Sequence, residues 1–248
     1  MNAVLILWLR QLKRYSRSPA RIIGGLGQPI LFLLALGFGL GPTFARAGHG
    51  DYTQFLAPGI ITMGILFMAV FSGVEIIWDR QFGFLKETLV APAPRLEIVL
   101  GRTLGGATIA LIQGSIVFLV SLVAGFRPAD PLLLPLALLF MVLIAIMCTA
   151  IGTVIGTVLQ DMQGFQLIMS FITMPLFFFS SALFPVFDLP QGLWIAVRLN
   201  PLTYGVDGLR GALSGAFAFG VATDFEVLGG LTVILLAVGA YLFAKIEV

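Results

Sequence analysis

Residues 132–159 read LLLPLALLFMVLIAIMCTAIGTVIGTVL and contain no charged side chain. About 20 consecutive apolar residues are enough for a helix to cross the hydrocarbon core of a bilayer. A run of this length can therefore span a membrane with some tilt. The composition of the whole chain agrees, because 59% of its 248 residues are hydrophobic and only 10% are charged, whereas roughly 25% of the residues in a soluble domain are charged.

Five further apolar runs flank this segment, and each is close to the length that a spanning helix needs. The sequence therefore predicts an all-α membrane protein with six transmembrane helices, built as a single transmembrane domain over residues 1–248. Helices of this kind satisfy their backbone hydrogen bonds internally, as lipid requires. The predicted spans are Ile22–Leu40, Leu56–Trp78, Leu104–Gly125, Leu132–Leu159, Phe165–Phe184 and Val227–Ala244.

The distribution of basic residues predicts the orientation of these spans, because cytoplasmic segments are enriched in Lys and Arg. With a cytoplasmic N-terminus, ten of the 14 basic residues fall in cytoplasmic segments, and the opposite orientation inverts that bias. We therefore expect a multi-pass protein whose termini are both cytoplasmic. The ten residues are Arg10, Lys13, Arg14, Arg17, Arg21, Arg80, Lys86, Arg95, Arg102 and Lys245.

Residues 1–18 have the pattern of an amphipathic helix that lies in the cytoplasmic membrane interface and ends before Pro19. At about 100° per residue, its basic residues share one face and its apolar residues share the other. A lipid anchor alone and an anchor that also contacts a cytoplasmic partner both fit this pattern. The basic face carries Arg10, Lys13, Arg14 and Arg17, and the apolar face carries Leu5, Trp8, Leu12 and Tyr15.

Residues 79–102, between the second and third predicted spans, hold the largest cluster of mixed charge in the chain. A short helix here must be broken by Ala91-Pro92-Ala93-Pro94, because proline disfavours helix in the residue before it. A second helix restarts at Arg95, which gives a stiff cytoplasmic elbow with Lys86, Glu87 and Arg95 exposed. A solvated loop explains the charges alone, but the apolar residues beside them are typical of a docking surface.

Residues 185–226 form a second unusual segment, between the fifth and sixth predicted spans. Apolar residues recur at helical spacing in two bursts, one on each side of Asn200-Pro201, and both bursts are too short to cross a bilayer. We predict two short helices hinged at this dipeptide that re-enter the outer leaflet. Non-helical backbone at that depth must be buried in protein or line a cavity.

Residues that carry chemistry are scarce in this sequence. There is one His, one Cys, no G-x-x-x-x-G-K-[ST] phosphate-binding loop and no cluster with metal-ligand spacing. We therefore expect no catalysis, no cofactor and no metal in this chain, and the net charge of +2 argues against a nucleic-acid partner. Glu75 is the one carboxylate inside a span, and we expect it to pair with Arg80 or Arg102 in preference to a proton-relay role.

Two motifs together resemble a known family. Asp79 to Arg95 match D-R-x-x-G-x-L-K-x-x-L-x-A-P-x-x-R, and Leu199 to Arg210 match L-N-P-L-T-Y-x-x-D-x-L-R. With the basic N-terminal helix and six spans, the chain resembles the permease subunit of ABC-2-type exporters, the superfamily of drug-resistance, nodulation-factor and polysaccharide exporters. The matching elbow positions are Asp79, Arg80, Gly83, Leu85, Lys86, Glu87, Pro92, Pro94 and Arg95, and the matching outer positions are Asn200, Pro201, Tyr204, Asp207 and Arg210.

The resemblance implies a subunit of an ATP-driven exporter in a bacterial-type inner (plasma) membrane. It implies a second permease chain, as a homodimer, and two separate ATPase subunits that carry ATP and Mg. It also implies that the elbow and the N-terminal helix contact the ATPases, while the outer helices cap the exit.

The cargo is expected to be hydrophobic or amphipathic, either a drug, a lipid or a lipid-linked glycan. Met and Phe on the pore helices give an adaptable apolar wall, although the same residues could face lipid or core. An ion-coupled secondary transporter or channel is the alternative, and it would need the buried charges or inverted repeats that this sequence lacks. The candidate pathway residues are Phe67, Phe71, Met169, Met174 and Phe178.

Overall fold

The computed structural model describes residues 3–46, 51–84, 94–186 and 189–245, and every regular element within these ranges is helical. The predicted all-α fold class is therefore confirmed. A short 3-10 turn, Pro131–Leu133, directly precedes the helix that begins at Leu134. The helices are α1 (Ala3–Ser16), α2 (Pro19–Arg46), α3 (Tyr52–Phe71), α4 (Val74–Gln81), α5 (Arg95–Val123), α6 (Leu134–Val158), α7 (Met162–Phe178), α8 (Gln191–Leu199), α9 (Pro201–Ser214) and α10 (Val221–Ala244).

Within the described residues, five helical segments are long and apolar enough to cross a membrane, in agreement with a multi-pass protein. The predicted fifth span, Phe165–Phe184, is the exception, because α7 has only 17 residues. Asp161 caps its start by accepting a hydrogen bond from the Gly164 N–H, and the helix ends at Phe179. At 1.5 Å per residue α7 is roughly 25 Å long, somewhat less than the hydrocarbon core. The count of six spans stays a prediction.

Helix α3 is the centre of the bundle and packs against α2, α5, α6 and α9. The chain turns at Ser72 and Gly73 and restarts as α4, so the predicted second span consists of two helices. At this turn the chain crosses α6 with its backbone in contact. A Cβ atom on Gly73 would collide with the Gly152 carbonyl, and one on Gly156 would collide with the Gly73 carbonyl. Small residues therefore allow this crossing.

Helix α1 confirms the predicted N-terminal helix and lies along α5. Gly101 and Gly105 of α5 allow its close approach, because added Cβ atoms there would meet Val4 and Gln11. Of the predicted apolar face only Tyr15 is buried, since the face that α5 covers is rotated from the one that the sequence pattern indicates. The placement of α1 in the membrane interface stays a prediction. The buried side chains of α1 are Leu7, Gln11 and Tyr15.

The two ends of the bundle carry different elements. At one end, Leu7 of α1, Ile98 and Val99 of α5 and Phe243 of α10 form a buried cluster, so the first and last helices meet there. We call this the elbow end, because α4 ends there and α5 begins there. At the opposite end, the cap end, α8 and α9 follow the C-terminus of α7. The structure thus separates the two motif segments by the length of the bundle.

Candidate functional site

A buried cluster of charges joins three helices at the elbow end. Asp79, in the last turn of α4, is 4% exposed, and Arg102 of α5 is 2% exposed. Nη2 of Arg102 donates a 2.7 Å hydrogen bond to Oδ2 of Asp79. Arg10 of α1 donates to the same oxygen. Because buried charges need hydrogen-bonded partners, this arrangement fixes α1 and α5 against the end of α4.

Arg80, the next residue, is also engaged within the chain. Its Nη1 donates to the Leu159 carbonyl and its Nη2 to the Thr157 carbonyl, both at 2.8 Å. These carbonyls lie at the end of α6, where the last helical oxygens have no partner in the helix, and a basic side chain there acts as a cap. Gly83 follows with φ of +81°, a left-handed conformation that favours glycine.

The remaining predicted elbow residues are only partly described. Pro94 is the residue before α5 and Arg95 is its first residue, so a helix does restart at Arg95 as predicted. Arg95 is half-buried, whereas the neighbouring Leu96 is exposed. The contact of this segment with an ATPase stays a prediction. The predicted elbow positions Leu85, Lys86, Glu87 and Pro92 lie outside the described residues.

Glu75 has a structural pairing, but the predicted partners are wrong. Its Oε1 accepts a 2.7 Å hydrogen bond from Nη1 of Arg21, near the start of α2. Arg80 is five residues further along the same helix, and such a pair does not share a helix face. Arg102 is occupied by Asp79. The Glu75 side chain is 2% exposed and that of Arg21 is 24% exposed, so the pair is open to its surroundings only on the arginine side.

An open cleft of about 560 Å³ lies beside this pair, with Arg21 in its lining, and is bounded by α2, α3, α4 and α7. Its aromatic wall consists of Phe67, Phe71 and Trp78, and its polar groups lie mainly on α2. The cleft is large enough for a small amphiphile, since ligand pockets typically measure roughly 300–1,000 Å³. The other residues that line it are Ser18, Arg21, Gly24, Gly25, Gln28, Pro29, Met68, Val74, Met162 and Gln166.

The structure does not bring the five candidate pathway residues together. Phe67 and Phe71 line the cleft, whereas Met169 is fully buried in the core. Met174 and Phe178 are exposed further along α7. Phe178 is twelve residues, or roughly 18 Å, beyond Gln166 at the cleft.

Sequence reasoning missed the polar wall of the cleft, although a signal for it exists. Arg21 and Gln28 lie seven residues apart on one face of α2, and Ser18, just before the helix, continues the same spacing. A polar stripe of this kind on an apolar span is typical of a face that does not contact lipid. Gln166 of α7 has a comparable signal, because Gln163, Gln166 and Ser170 recur at spacings of three and four residues.

The predicted basic face of α1 is divided between internal contacts and solvent. Arg10 pairs with Asp79, and the Arg14 guanidinium lies 4.8 Å from the ring centroid of Trp78. Such cation–π contacts contribute a modest attraction at exposed sites. Lys13 and Arg17 are exposed.

Two further hydrogen bonds attach α1 to α5. Nε1 of Trp8 donates to the Thr108 hydroxyl at 3.0 Å, and the Tyr15 hydroxyl donates to Oε1 of Gln113 at 2.8 Å. Burial raises the pKa of Tyr15 above its ordinary value, and the nearby Arg21 only partly opposes this. The phenol therefore stays neutral and remains a hydrogen-bond donor.

At the cap end, the predicted hinge is present between α8 and α9. Asn200 ends α8 and caps α9, because its Oδ1 accepts from the Leu202 N–H at 3.0 Å. Its Nδ2 donates to the Leu176 carbonyl in α7 at 2.7 Å. Pro201 follows at the first position of α9, where its missing N–H costs nothing. The Tyr204 hydroxyl donates to the Arg198 carbonyl at 2.9 Å and folds α9 back on α8.

The other two predicted cap residues hold loops against α9. The Asp207 carboxylate accepts hydrogen bonds from the N–H groups of Ala218 and Phe219 at 2.8–2.9 Å. Nη2 of Arg210 donates to the Ser181 carbonyl at 2.9 Å, and its guanidinium lies 4.1 Å from the centroid of the Phe55 ring. The two short helices are therefore confirmed, while their re-entry into a leaflet stays a prediction.

The family described as ABC-2 type transporter matches residues 2–214, which is most of the chain. This chain belongs to the ABC-2 type transporter family. The recognition made from the elbow and outer motifs is therefore confirmed, and the protein is an integral membrane protein of a transport family.

Curated relatives of this ABC-2 protein come from algae and bacteria. The chain is 29% identical to ycf38 of Cyanophora paradoxa, described as a transport permease, over 99% of this chain and 89% of that protein. It is 29% identical to ycf38 of Porphyra purpurea over 78% of this chain and 68% of that protein. It is 28% identical to Nodulation protein J of Rhizobium leguminosarum bv. trifolii over 85% of this chain and 81% of that protein. The similarity therefore extends over both motifs of the ABC-2 chain.

Proposed function

We propose that this chain is the membrane-spanning subunit of an ATP-driven exporter, paired with a second identical permease chain and powered by two separate ATPase subunits. Membership of the ABC-2 family supports the transporter role. The basic bias of the elbow end supports an orientation in which both termini and the elbow are cytoplasmic, and we assign the chain to a bacterial-type plasma membrane. ATP and Mg would then be held by the partner subunits, and this chain would hydrolyse nothing.

The cleft carries the proposal about cargo. It is open, it is bounded by four helices, and it combines an aromatic wall with a few polar groups. A hydrophobic or amphipathic molecule fits such a surface, because apolar walls supply affinity and convergent polar groups supply orientation. In the proposed dimer, cargo would leave along the bundle toward the cap end and pass α8 and α9.

The elbow-end contacts supply the coupling in this proposal. Movement of the elbow by an ATPase would first displace α4, which Asp79 ties to α1 and α5 and which Glu75 ties to α2. Two of these four helices, α2 and α4, border the cleft. A shift of α4 would therefore change the cleft directly, provided that the two ATPase states contact the elbow differently.

A matched pair of glycines in α2 tests the cleft assignment. An added Cβ atom meets no atom within 4 Å at Gly24 or at Gly27, but only Gly24 lines the cleft. Gly24→Leu should therefore fill the cleft without disturbing the fold, and Gly27→Leu is its control. The measurement is ATPase activity of the complex purified through the tagged permease, with and without a panel of amphiphiles.

We expect a P-loop ATPase to co-purify with all three forms. Amphiphile stimulation should be lost in Gly24→Leu and kept in Gly27→Leu. Equal stimulation in both variants would remove the cleft from the transport route. If the permease purifies without any ATPase even when its neighbouring genes are co-expressed, the exporter proposal is wrong. The hypothesis to test next is then an ion-coupled transporter or channel.

A further inference from the structure

The charge of the cleft is cancelled by a residue that does not line it. Among the described residues that line the cleft, Arg21 is the only one with a formal charge. Glu75 lies behind Arg21, is almost fully buried, and accepts its 2.7 Å hydrogen bond. An anionic ligand could still accept hydrogen bonds from the other N–H groups of this guanidinium, but its positive charge is already balanced, and a cationic ligand would find no carboxylate among the lining residues.

The polar side chains that line the cleft, other than Arg21, are neutral. Ser18, Gln28 and Gln166 border it, and hydroxyl and amide side chains can both donate and accept hydrogen bonds. The rings of Phe71 and Trp78 complete the wall beside them. Arg14 contacts the Trp78 ring from outside the lining, and because its side chain is exposed, solvent and salt screen its charge. Neutral hydrogen-bonding groups next to aromatic rings suit a headgroup with hydroxyl or amide groups.

We propose that the cleft selects amphiphiles with an uncharged headgroup bearing hydroxyl or amide groups, and that Glu75 sets this selectivity by neutralising Arg21. The inference rests on the proposed transport function for its biological meaning, but binding to the cleft is measurable on the permease alone. The apolar tail would lie against Phe67 and Met68, and the headgroup would face α2. Glu75 is thus a specificity-determining residue that need not touch the ligand.

Trp78 provides a direct readout, because it is one of three tryptophans and the only one that lines the cleft. The background is Trp8→Phe with Trp194→Phe, in nanodiscs of zwitterionic phosphatidylcholine. The probes share one brominated dodecyl tail and carry a maltoside, a phosphate or a trimethylammonium headgroup. Quenching of Trp78 fluorescence reports binding. Adding Gly24→Leu to this background should abolish saturable quenching, which separates cleft binding from partition into lipid.

The maltoside probe should bind at least about tenfold more tightly than either charged probe, because a charged headgroup loses its hydration and finds no unbalanced counter-charge in the cleft lining. Glu75→Gln keeps a hydrogen-bond acceptor for Arg21 but leaves the positive charge of Arg21 unbalanced. The variant should therefore bind the phosphate probe about tenfold or more tightly than the parent protein does. The double change Arg21→Gln with Glu75→Gln restores a neutral wall and should restore the original order.

Two results would overturn the inference. Preference for the phosphate or trimethylammonium probe in the parent protein would refute the neutral substrate class. A phosphate affinity in Glu75→Gln that equals that of the parent protein would remove Glu75 as the selectivity residue. Neither result depends on an ATPase, whereas failure of the exporter proposal appears as absence of a co-purifying ATPase, so the two failures are distinguishable.

Discussion

Asp79 and Arg102 form a buried ion pair whose closest nitrogen and oxygen are 2.7 Å apart, with both side chains at most 5% exposed. The pair stands where α4 ends and α5 begins, so the two sides of the elbow are joined at its base. Arg10 adds a third helix to the same carboxylate. The end of α4 is therefore attached to both α1 and α5 through one aspartate.

Replacing that aspartate should destabilise the protein strongly. Asp79→Ala leaves Arg102 buried and without its counter-charge, and the expected loss is about 3–5 kcal/mol in the free energy of unfolding. Reversible unfolding in mixed micelles measures it. The double variant Asp79→Ala with Arg102→Met removes both charges and should recover part of the loss. If the double variant is no more stable than Asp79→Ala, the pair is not the origin of the effect.

The backbone contact between the α3–α4 turn and α6 predicts a second effect. Gly152→Ala would force a Cβ atom against the Val70 carbonyl, and backbone cannot yield as a side chain can. We expect a loss of about 1–3 kcal/mol from overpacking. Gly230→Ala is the control, because nothing lies within 4 Å of its added Cβ atom in α10. Thermal unfolding in detergent should show a lower Tm for Gly152→Ala only; equal Tm values would contradict the crossing.

At the cap end, the contributions of the two side-chain hydrogen bonds of Asn200 can be measured separately. Asn200→Ala removes the cap on the Leu202 N–H and the donor to the Leu176 carbonyl, and should cost about 2 kcal/mol. Asn200→Ser keeps a capping oxygen but loses the donor, so it should cost less. Hydrogen exchange across α9 measures both. Identical exchange in the two variants would show that the bond to α7 is the only contribution.

Tyr15 gives a prediction about pH. Its pKa is raised by burial from 10.0, so its contribution to stability is complete below pH 10.0 and is lost as the pH rises toward the folded-state pKa. Tyr15→Phe removes this pH dependence and, at neutral pH, costs about 1 kcal/mol because Gln113 loses a donor. Unfolding from about pH 8 to about pH 11 tests both statements. If the free energy of unfolding depends on pH in the same way in the parent protein and in Tyr15→Phe, the assignment of this pH dependence to Tyr15 is wrong.

Several parts of the fold follow from sequence because they depend on local chemistry. The apolar runs predict helices of spanning length, and the α8–α9 hinge follows from Asn200-Pro201, since a capping side chain precedes a proline that suits the first helical turn. The same reasoning found Glu75 as a paired carboxylate. It failed on the partner, because Arg21 lies 54 residues away in the chain and no spacing rule reaches that far.

The sequence by itself determined the membrane class, the family and the two motif segments, because hydropathy, charge and capping act between residues close in the chain. Only the tertiary structure decided what those residues contact. It divided the candidate pathway residues between cleft, core and exposed surface, and it placed Arg21 in the lining of the cleft with Glu75 behind it. These outcomes depend on how α2, α4 and α7 pack around α3, and helix periodicity carries information about each helix face but none about which helix will cover it.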